Sequence, residues 1–488
     1  MAPDPSALSN LTALSGFLVG ALDLALRLGG ASLVLLRRST QPARAVPWML
    51  VVLAIPFFGL AMYLVFGESS FGFARRRRYM KSVEWLKSQA PAWDTVTTPP
   101  LPPMDQHDVQ VAAAALTLDA APIRGGNAVE VTSDGTVMES WSIEAIRQAR
   151  ESIDLTTYIF EDDRCGQAVA KALAEARGRG VRCRALVDGF GSSRFVRSPL
   201  FSQMKRDGIE LRIALPGSLL RGLFHRIDMR NHRKVLVVDG ALGFTGSRNF
   251  VAPEFLAKKD YAPWVDCLLR VRGPAVADLH RVFAVDWNFE TGEVVDVNPA
   301  RAVAAGTAPV QVLPTGPTFD SEAVAQLLHA AVQVARHEIV LTTPYFVPDS
   351  AFIRGLAVAS RRGVAVQLVI PERNDSRLVA LASRALLGPL LDAGIQIWEF
   401  PDGLLHAKTV TVDGVLSIIT SANLDRRSFE LNFEVTAAIY DNESTTSIRA
   451  MQQRWIDVSH RFVRANWDRR GKWERYQEGL AGLLAPLL

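Results

Sequence analysis

Cysteine is scarce. Cys165, Cys183 and Cys267 are the only three in 488 residues, scattered and odd in number. That excludes a disulfide framework and the close spacings of a zinc site. The three read as buried free thiols in a reducing compartment. Charge of one sign is also in short supply: the net charge is +4, too weak to point to nucleic acid. The N-terminus has no basic n-region, and no clear small-residue cleavage site precedes the second apolar stretch. Both absences argue against a cleaved signal peptide.

What the chain does have is one short pattern twice, 174 positions apart. The first copy is His232-Arg233-Lys234, then residues 235–238, then Asp239. The second is His406-Ala407-Lys408, then residues 409–412, then Asp413. Both read H-x-K-x₄-D. Ten residues after each Asp comes an Asn in a small-residue turn, Gly246-Ser247-Arg248-Asn249 and Thr420-Ser421-Ala422-Asn423. Chance is a poor account of two full copies with the same tail.

Residues 235–238 and 409–412 are rich in β-branched side chains and read as buried strand. Side chains two apart in a strand share a face. His232 and Lys234 are therefore expected to point together, as are His406 and Lys408. Asp239 and Asp413 precede Gly240 and Gly414, which suit a turn. Within the motif, these two carboxylates are expected to make structural bonds or ion pairs rather than act as bases. Facing halves place two His, two Lys and two Asn around one centre.

That set suits a phosphodiester. Lys234, Lys408, Asn249 and Asn423 can hold non-bridging oxygens and neutralise charge developing at phosphorus. One His can attack phosphorus and form a phosphohistidine. The other can protonate the leaving alcohol and then deprotonate the incoming one. Imidazole suits both roles because its pKa lies near neutrality. A nucleophilic His must be neutral, with its second nitrogen fixed by an acceptor. Asp266 in Trp264-Val265-Asp266 and Glu434 in Asn432-Phe433-Glu434 are the candidate orienting carboxylates, one downstream of each motif. The chemistry requires no metal.

Hydrophobic residues make up 49% of the chain, and the mean hydropathy is +0.12, high for a wholly soluble enzyme. The N-terminus accounts for this. Residues 46–66 are an uncharged run of 21, long enough to cross a bilayer core as helix; Pro56 within it is tolerated in membrane helices. Residues 11–36 are also apolar but contain Asp23 and Arg27, four apart and able to pair on one helix face. Two readings stand for this stretch: a second span, or an amphipathic helix lying at the surface. Arg75 to Arg78 and Lys81 follow the second stretch and argue that the bulk of the protein is cytoplasmic; Arg37, Arg38 and Arg44 pull the other way. The arginine cluster also suits anionic headgroups. Pro91, Pro99, Pro100, Pro102 and Pro103 read as a stiff linker.

Beyond the linker the two halves run in parallel. Each has an opening strand (129–131, 310–313), a Gly-containing loop and a helix. Each continues with a strand (153–160, 339–346), another helix, a strand (181–187, 364–370) and the motif strand. Alternation of this kind predicts an α/β fold, two sandwich domains with a mixed sheet and a pseudo-twofold relation. The expected divisions are a membrane anchor of one or two helices at 1–70, a basic, Pro-rich linker at 71–126, and domains at 127–300 and 301–488.

These residues resemble the phospholipase D superfamily, and within it the bacterial cardiolipin synthases. Asn231-His232-Arg233-Lys234, with Val238-Asp239-Gly240 and Phe244-Thr245-Gly246, is similar to the family's first motif. The run from Ser421 to Phe429, with Leu431-Asn432-Phe433-Glu434, is similar to the second and is the more diagnostic. Tyr158-Ile159-Phe160, Thr343-Pro344-Tyr345-Phe346 and the closing residues 483–488 also fit, so the resemblance covers nearly the whole chain. It implies two phospholipase D-like domains behind an N-terminal transmembrane region. It implies that His232 is the nucleophile and His406 the acid/base, within a catalytic set of His232, Lys234, Asp239, His406, Lys408 and Asp413, with no cofactor. It implies a phosphatidyltransferase of the bacterial inner membrane that joins two phosphatidylglycerol molecules into cardiolipin and releases glycerol.

Alternatives stay open within the same chemistry: hydrolysis by water, as in a phospholipase D, or transfer from phosphatidylethanolamine. A nuclease and a non-catalytic lipid-binding scaffold are more remote, given the anchor, the modest charge and two intact motifs. Two leucine-rich stretches, 219–224 and 381–391, are candidates either to guide acyl chains toward the site or to pack in the core. Residues 480–488 form an apolar tail that docks on the membrane or on the fold. His225 could line the site or sit at the surface. His107, His280, His329, His337 and His460 have no partner pattern and are expected at solvent or on helix surfaces. Tyr158 and Tyr345 end strands that point at the cleft, where substrate contact and packing are equally open to them.

Overall fold

The computed structural model describes residues 5–38, 42–64, 73–88, 98–216, 229–317 and 322–484. The stretch 219–224, His225, Pro91 and residues 485–488 lie outside them. The described residues fall into two compact units, one comprising the N-terminal helices and the other beginning at Phe73.

In the first unit, Pro5–Arg38 is one continuous helix. Asp23 and Arg27 pair on it at 2.6 Å, which removes much of the penalty of two charges in an apolar helix. Among the described residues, only the segment Leu14–Arg37 is long and apolar enough to cross a bilayer. The described part of the second stretch, 46–64, is not the single uninterrupted helix that its composition predicts. It divides into Pro42–Ala54 and Pro56–Met62, because Ile55 leaves the helical region at φ −134° and ψ 77°. A residue before proline is driven out of the α region by the ring's Cδ.

The second unit begins with two helices where a linker is expected. Phe73–Ser88 carries the arginine cluster. Its Tyr79 ring packs on Phe289 and Phe433 at 5.3 and 5.2 Å. Gln106–Thr117 buries Val111, Ala112 and Ala115 in one core with Leu327 and Leu328.

A 15-stranded sheet organises the rest. The first half supplies β1 (Arg124–Thr132), β2 (Ser152–Thr157), β3 (Arg182–Asp188), β4 (Glu210–Ala214), β5 (Val235–Val238), β6 (Leu242–Gly246) and β8 (Leu268–Arg272), with β7 (Trp264–Val265) set apart. The second half supplies β9 (Ala308–Thr315), β10 (Glu338–Thr342), β12 (Ala365–Pro371), β13 (Gln396–Phe400), β15 (Thr409–Val412), β16 (Leu416–Thr420), β18 (Glu434–Tyr440) and β19 (His460–Phe462). Its separate short strands are β11 (Phe346–Val347), β14 (Leu404–Leu405) and β17 (Leu424–Asp425). From the central antiparallel pair β1–β9, the order outward on one side is β1-β8-β6-β5-β2-β3-β4. On the other it is β9-β18-β16-β15-β10-β12-β13, with β19 added at the edge. Strand for strand the two sides correspond, which is the pseudo-twofold relation.

The motif strands sit mid-sheet. β5 pairs antiparallel with β2 and β6, and β15 with β10 and β16. All four residues of each are buried. Val235 and Val237 face a core shared with the helix Ala275–Thr291, while Leu236 and Val238 face the core under Gly135–Gln148 and Arg164–Gly178. Covering both faces with helices is what lets a strand be apolar throughout. The helix Arg377–Asp392 absorbs the leucine-rich stretch 381–391 and buries Leu387 and Leu390, so core packing explains that stretch. The three cysteines are free and buried. His280, expected at a helix surface, is instead buried, with Nε2 2.8 Å from Asp154. Arg184 grips the same carboxylate from the other side.

Candidate active site

His232, Lys234, His406 and Lys408 lie just ahead of β5 and β15 rather than inside them, in extended segments. The two-residue spacing still acts as expected, and a backbone contact adds to it. Lys234 Nζ donates to the His232 carbonyl at 2.6 Å, and Lys408 Nζ to the His406 carbonyl at 2.7 Å. Each ammonium is thus folded back onto the backbone of its own histidine.

The two imidazoles line one cavity of about 460 Å³. Tyr158, Asn249, Trp264, Tyr345 and Asn423 share its wall. Asn249 accepts the Ile159 N–H through Oδ1, while its Nδ2 is buried without a partner among the described residues. An unpaired buried donor at this place fits an oxygen of a bound phosphodiester. Asn423 stands correspondingly in the other half, with its own Oδ1 unpaired.

The orienting carboxylates are crossed between halves. Glu434 accepts from His232 Nδ1, with oxygens at 2.9 and 3.0 Å. Asp266 accepts from His406 Nδ1 at 2.6 Å. Each carboxylate follows one motif in sequence and serves the histidine of the other. The backbone enforces this. β14 pairs with β7, joining Leu404 and Leu405 to Trp264 and Val265, and the His406 N–H donates to the Val265 carbonyl at 2.7 Å. In the pseudo-symmetric place Asn231 bridges Phe433, and the His232 N–H donates to the Phe433 carbonyl at 2.9 Å.

Electrostatics select neutral imidazoles. Burial is the largest influence on both rings and brings each down to about 4. Glu434 opposes the drop at His232, and Lys408 deepens it at His406. Burial, the largest single influence, would raise Glu434 and Asp266, but the imidazole, serine hydroxyl and lysine beside each together outweigh it and hold both below the usual carboxylate range. An ionised carboxylate fixes the proton on Nδ1 and leaves Nε2 as a free base. Burial also lowers Lys234 to about 7 and Lys408 to about 8. Burial thus disfavours both ammonium forms, which a nearby anion would restore; neither lysine is among the residues lining the cavity.

Asp239 and Asp413 do not belong to the catalytic centre. Each stands five residues past its lysine, about 16 Å along an extended chain. Each occupies the first central position of a tight turn, with φ of 52° and 53°. Gly240 and Gly414 follow at 65° and 71°, the pair of positive φ angles that a type I′ turn requires. Asp239 accepts three backbone N–H groups, from Arg150, Glu151 and Ser152, and Asp413 does the same for Arg336, His337 and Glu338. The motif's aspartate is a staple for β2 and β10.

Other contributors are not evident from the motif alone. Ser247 donates to Asp266 at 2.7 Å, and Ser421 donates to Glu434. The two serines sit at the same offset after their histidines, and that shared offset was the available signal. Arg233, between His232 and Lys234, is wholly buried. It bonds the Glu434 and Thr315 carbonyls at 2.9 Å and pairs with Asp286. Ala407 holds the corresponding place, so this clamp exists in one half only. Tyr345 donates to Asp375 at 2.6 Å on one side of the cavity, and the Tyr158 ring packs edge-on against His232 at 4.8 Å on the other.

Comparisons with known proteins agree with this geometry. Residues 142–287 and 328–455 match the family described as "Cardiolipin synthase, PLD-like domain". Residues 30–68 match "Phospholipase D-nuclease N-terminal". Cardiolipin synthase A of Serratia proteamaculans is 36% identical over 470 residues, spanning 93% of this chain and 95% of that one. Cardiolipin synthase A of Edwardsiella ictaluri is 34% identical over 473 residues, with the same coverage. Among solved structures, a phosphatidylserine synthase from Haemophilus influenzae superposes with a TM-score of 0.58 at 14% identity, over 78% of this chain and all of that one. That last likeness concerns the fold.

Proposed function

Since the chain belongs to the family of cardiolipin synthases with phospholipase D-like domains, we propose that it makes cardiolipin, with phosphatidylglycerol as both donor and acceptor. The observation that carries the chemistry is one cavity lined by two imidazoles, each backed by a carboxylate from the opposite half. His232 Nε2 attacks phosphorus of the donor. The bond to the glycerol oxygen breaks, and His406 supplies that oxygen's proton. Lys234, Lys408, Asn249 and Asn423 hold the non-bridging oxygens as charge shifts onto them. His406, now neutral, takes the proton of a second phosphatidylglycerol hydroxyl. That oxygen displaces His232, which returns as the free base.

His406 must carry a proton when it acts as acid, although burial lowers its pKa. The phosphodiester's own negative charge supports the protonated form once bound. The location follows the same reading: a bacterial cytoplasmic membrane, with the residues from Phe73 onward on the cytoplasmic side. It rests on the arginine cluster after the apolar helices. Domain divisions near 127 and 301 belong to the same proposal; the repeated strand order supports two halves, with β1 beginning at Arg124.

Vesicles of pure phosphatidylglycerol test the proposal. Cardiolipin and glycerol are expected in equal amounts. Phosphatidic acid as the main product would convert the reading to a phospholipase D, and ethanolamine release from mixed vesicles would change the donor.

The pH profile gives a second check. Values of kcat/KM report groups in the free enzyme. His232 is competent only when neutral, so activity falls as pH drops toward about 4. His406 must be protonated to act as the acid and the lysines bind anions only when charged, so kcat/KM declines as pH rises above about 4 and more steeply through about 7 and about 8. A plateau extending beyond about pH 10, the range of an unperturbed lysine, would contradict the buried-lysine electrostatics.

A further inference from the structure

The helix Lys472–Leu484 has a face that the other described residues leave uncovered. Its inner side is anchored: Ala481 packs with Val347 and Ala382, and the buried Glu478 pairs with Arg470. Its outer side carries Trp473, Tyr476, Leu480 and Leu483, exposed by 67, 61, 51 and 76%. The spacings of three, four and three residues align them in one stripe. Trp473 and Tyr476 stack, with ring centroids 5.4 Å apart. Arg469, Lys472 and Arg475, all exposed, flank the stripe.

We infer that this face lies in the surface of an anionic phospholipid bilayer, as a membrane contact additional to the N-terminal helices. Three observations select that occupant. Aromatic rings with polar tips and leucines on one side, with basic residues beside them, is the composition of a helix lying in the headgroup region. The flanking cations match a negative leaflet rather than a neutral surface. The helix also leans on Arg377–Asp392 through Ala382, and Val379 of that helix lines the catalytic cavity. A bilayer against the stripe therefore stands one helix away from the place where a lipid phosphodiester reacts. The role in substrate access rests on the proposed lipid chemistry; the docking itself does not.

The test uses the full chain in proteoliposomes. The native cysteines are buried, so a nitroxide attached to Leu480→Cys is selective. A second label at Val303→Cys, on an exposed loop, reports an aqueous position. In vesicles of equal phosphatidylcholine and phosphatidylglycerol, the label at 480 should meet oxygen more often than a water-soluble nickel reagent, and the label at 303 the reverse. Equal ratios at the two positions would overturn the inference. So would a label at 480 shielded from both reagents, which would place protein there. The double variant Leu480→Glu, Leu483→Glu should lower turnover in vesicles by about tenfold. Turnover of dispersed short-chain phosphatidylglycerol should stay within about twofold, since no cavity residue changes. An equal loss on both substrates would overturn the access role. A wild-type chain that makes no cardiolipin while the label at 480 reads lipid would end the functional proposal and leave the surface standing.

Discussion

His232→Asn and His406→Asn should each reduce cardiolipin formation to background, a loss of about 10⁴-fold or more as for other paired catalytic groups. The two losses should differ in kind. Removing His232 takes away the atom that bonds to phosphorus, so no lipid–protein adduct can form with any donor. Removing His406 takes away only the proton supply to the leaving oxygen. A donor with a nitrophenol in place of glycerol needs no such proton, so His406→Asn should form the adduct with it. The adduct should then persist, because the base that activates the second hydroxyl is also missing. Quenching in alkali, digestion and mass spectrometry should locate the phosphatidyl group on His232. Recovery of the label on His406 would reverse the assignment, which rests on family resemblance because the two halves present nearly equivalent chemistry. Turnover surviving in both variants would remove the two-histidine scheme altogether.

The parts of this site that could be read from the sequence are those encoded locally. The strands at 235–238 and 409–412 are β-branched runs stopped by Asp-Gly, and both the run and the stop are short-range signals. The duplication made the pseudo-twofold order of the sheet an expectation before any strand was placed. The pairing of histidines with carboxylates was not available in this way. Glu434 lies 202 residues from His232, and Asp266 lies 140 from His406. The nearer candidate in sequence was the wrong partner in each case. What decides the pairing is a pair of short backbone bridges, β7 with β14 and Asn231 with Phe433, and bridges this short have no periodicity to detect. The N-terminus shows a different limit. Composition reads residues 46–66 as one continuous helix, whereas one dihedral at Ile55 breaks the described part of that stretch into two.

The crossed pairing makes the second large prediction. Glu434→Gln should damage the nucleophile, and Asp266→Asn the acid/base, although each residue follows the other motif in the chain. A carboxylate can only accept, so it holds the Nδ1 proton and presents Nε2 as a base. An amide can rotate and donate, which favours the wrong tautomer and costs about 10²- to 10⁴-fold. Ser421 and Ser247 already donate to these oxygens, so an amide would keep one bond and lose the directional choice. With the nitrophenyl donor, Asp266→Asn should recover adduct formation on His232, because its defect lies in proton transfer at His406. Glu434→Gln should not recover, because its defect lies in the attacking nitrogen itself. Rescue of Glu434→Gln and failure of Asp266→Asn would mean that each carboxylate serves its own half in solution. The same experiment decides whether either half could work alone. With the supports exchanged, a chain cut between the halves has a nucleophile without its orienter and an acid without its own, so activity should return only when both pieces assemble.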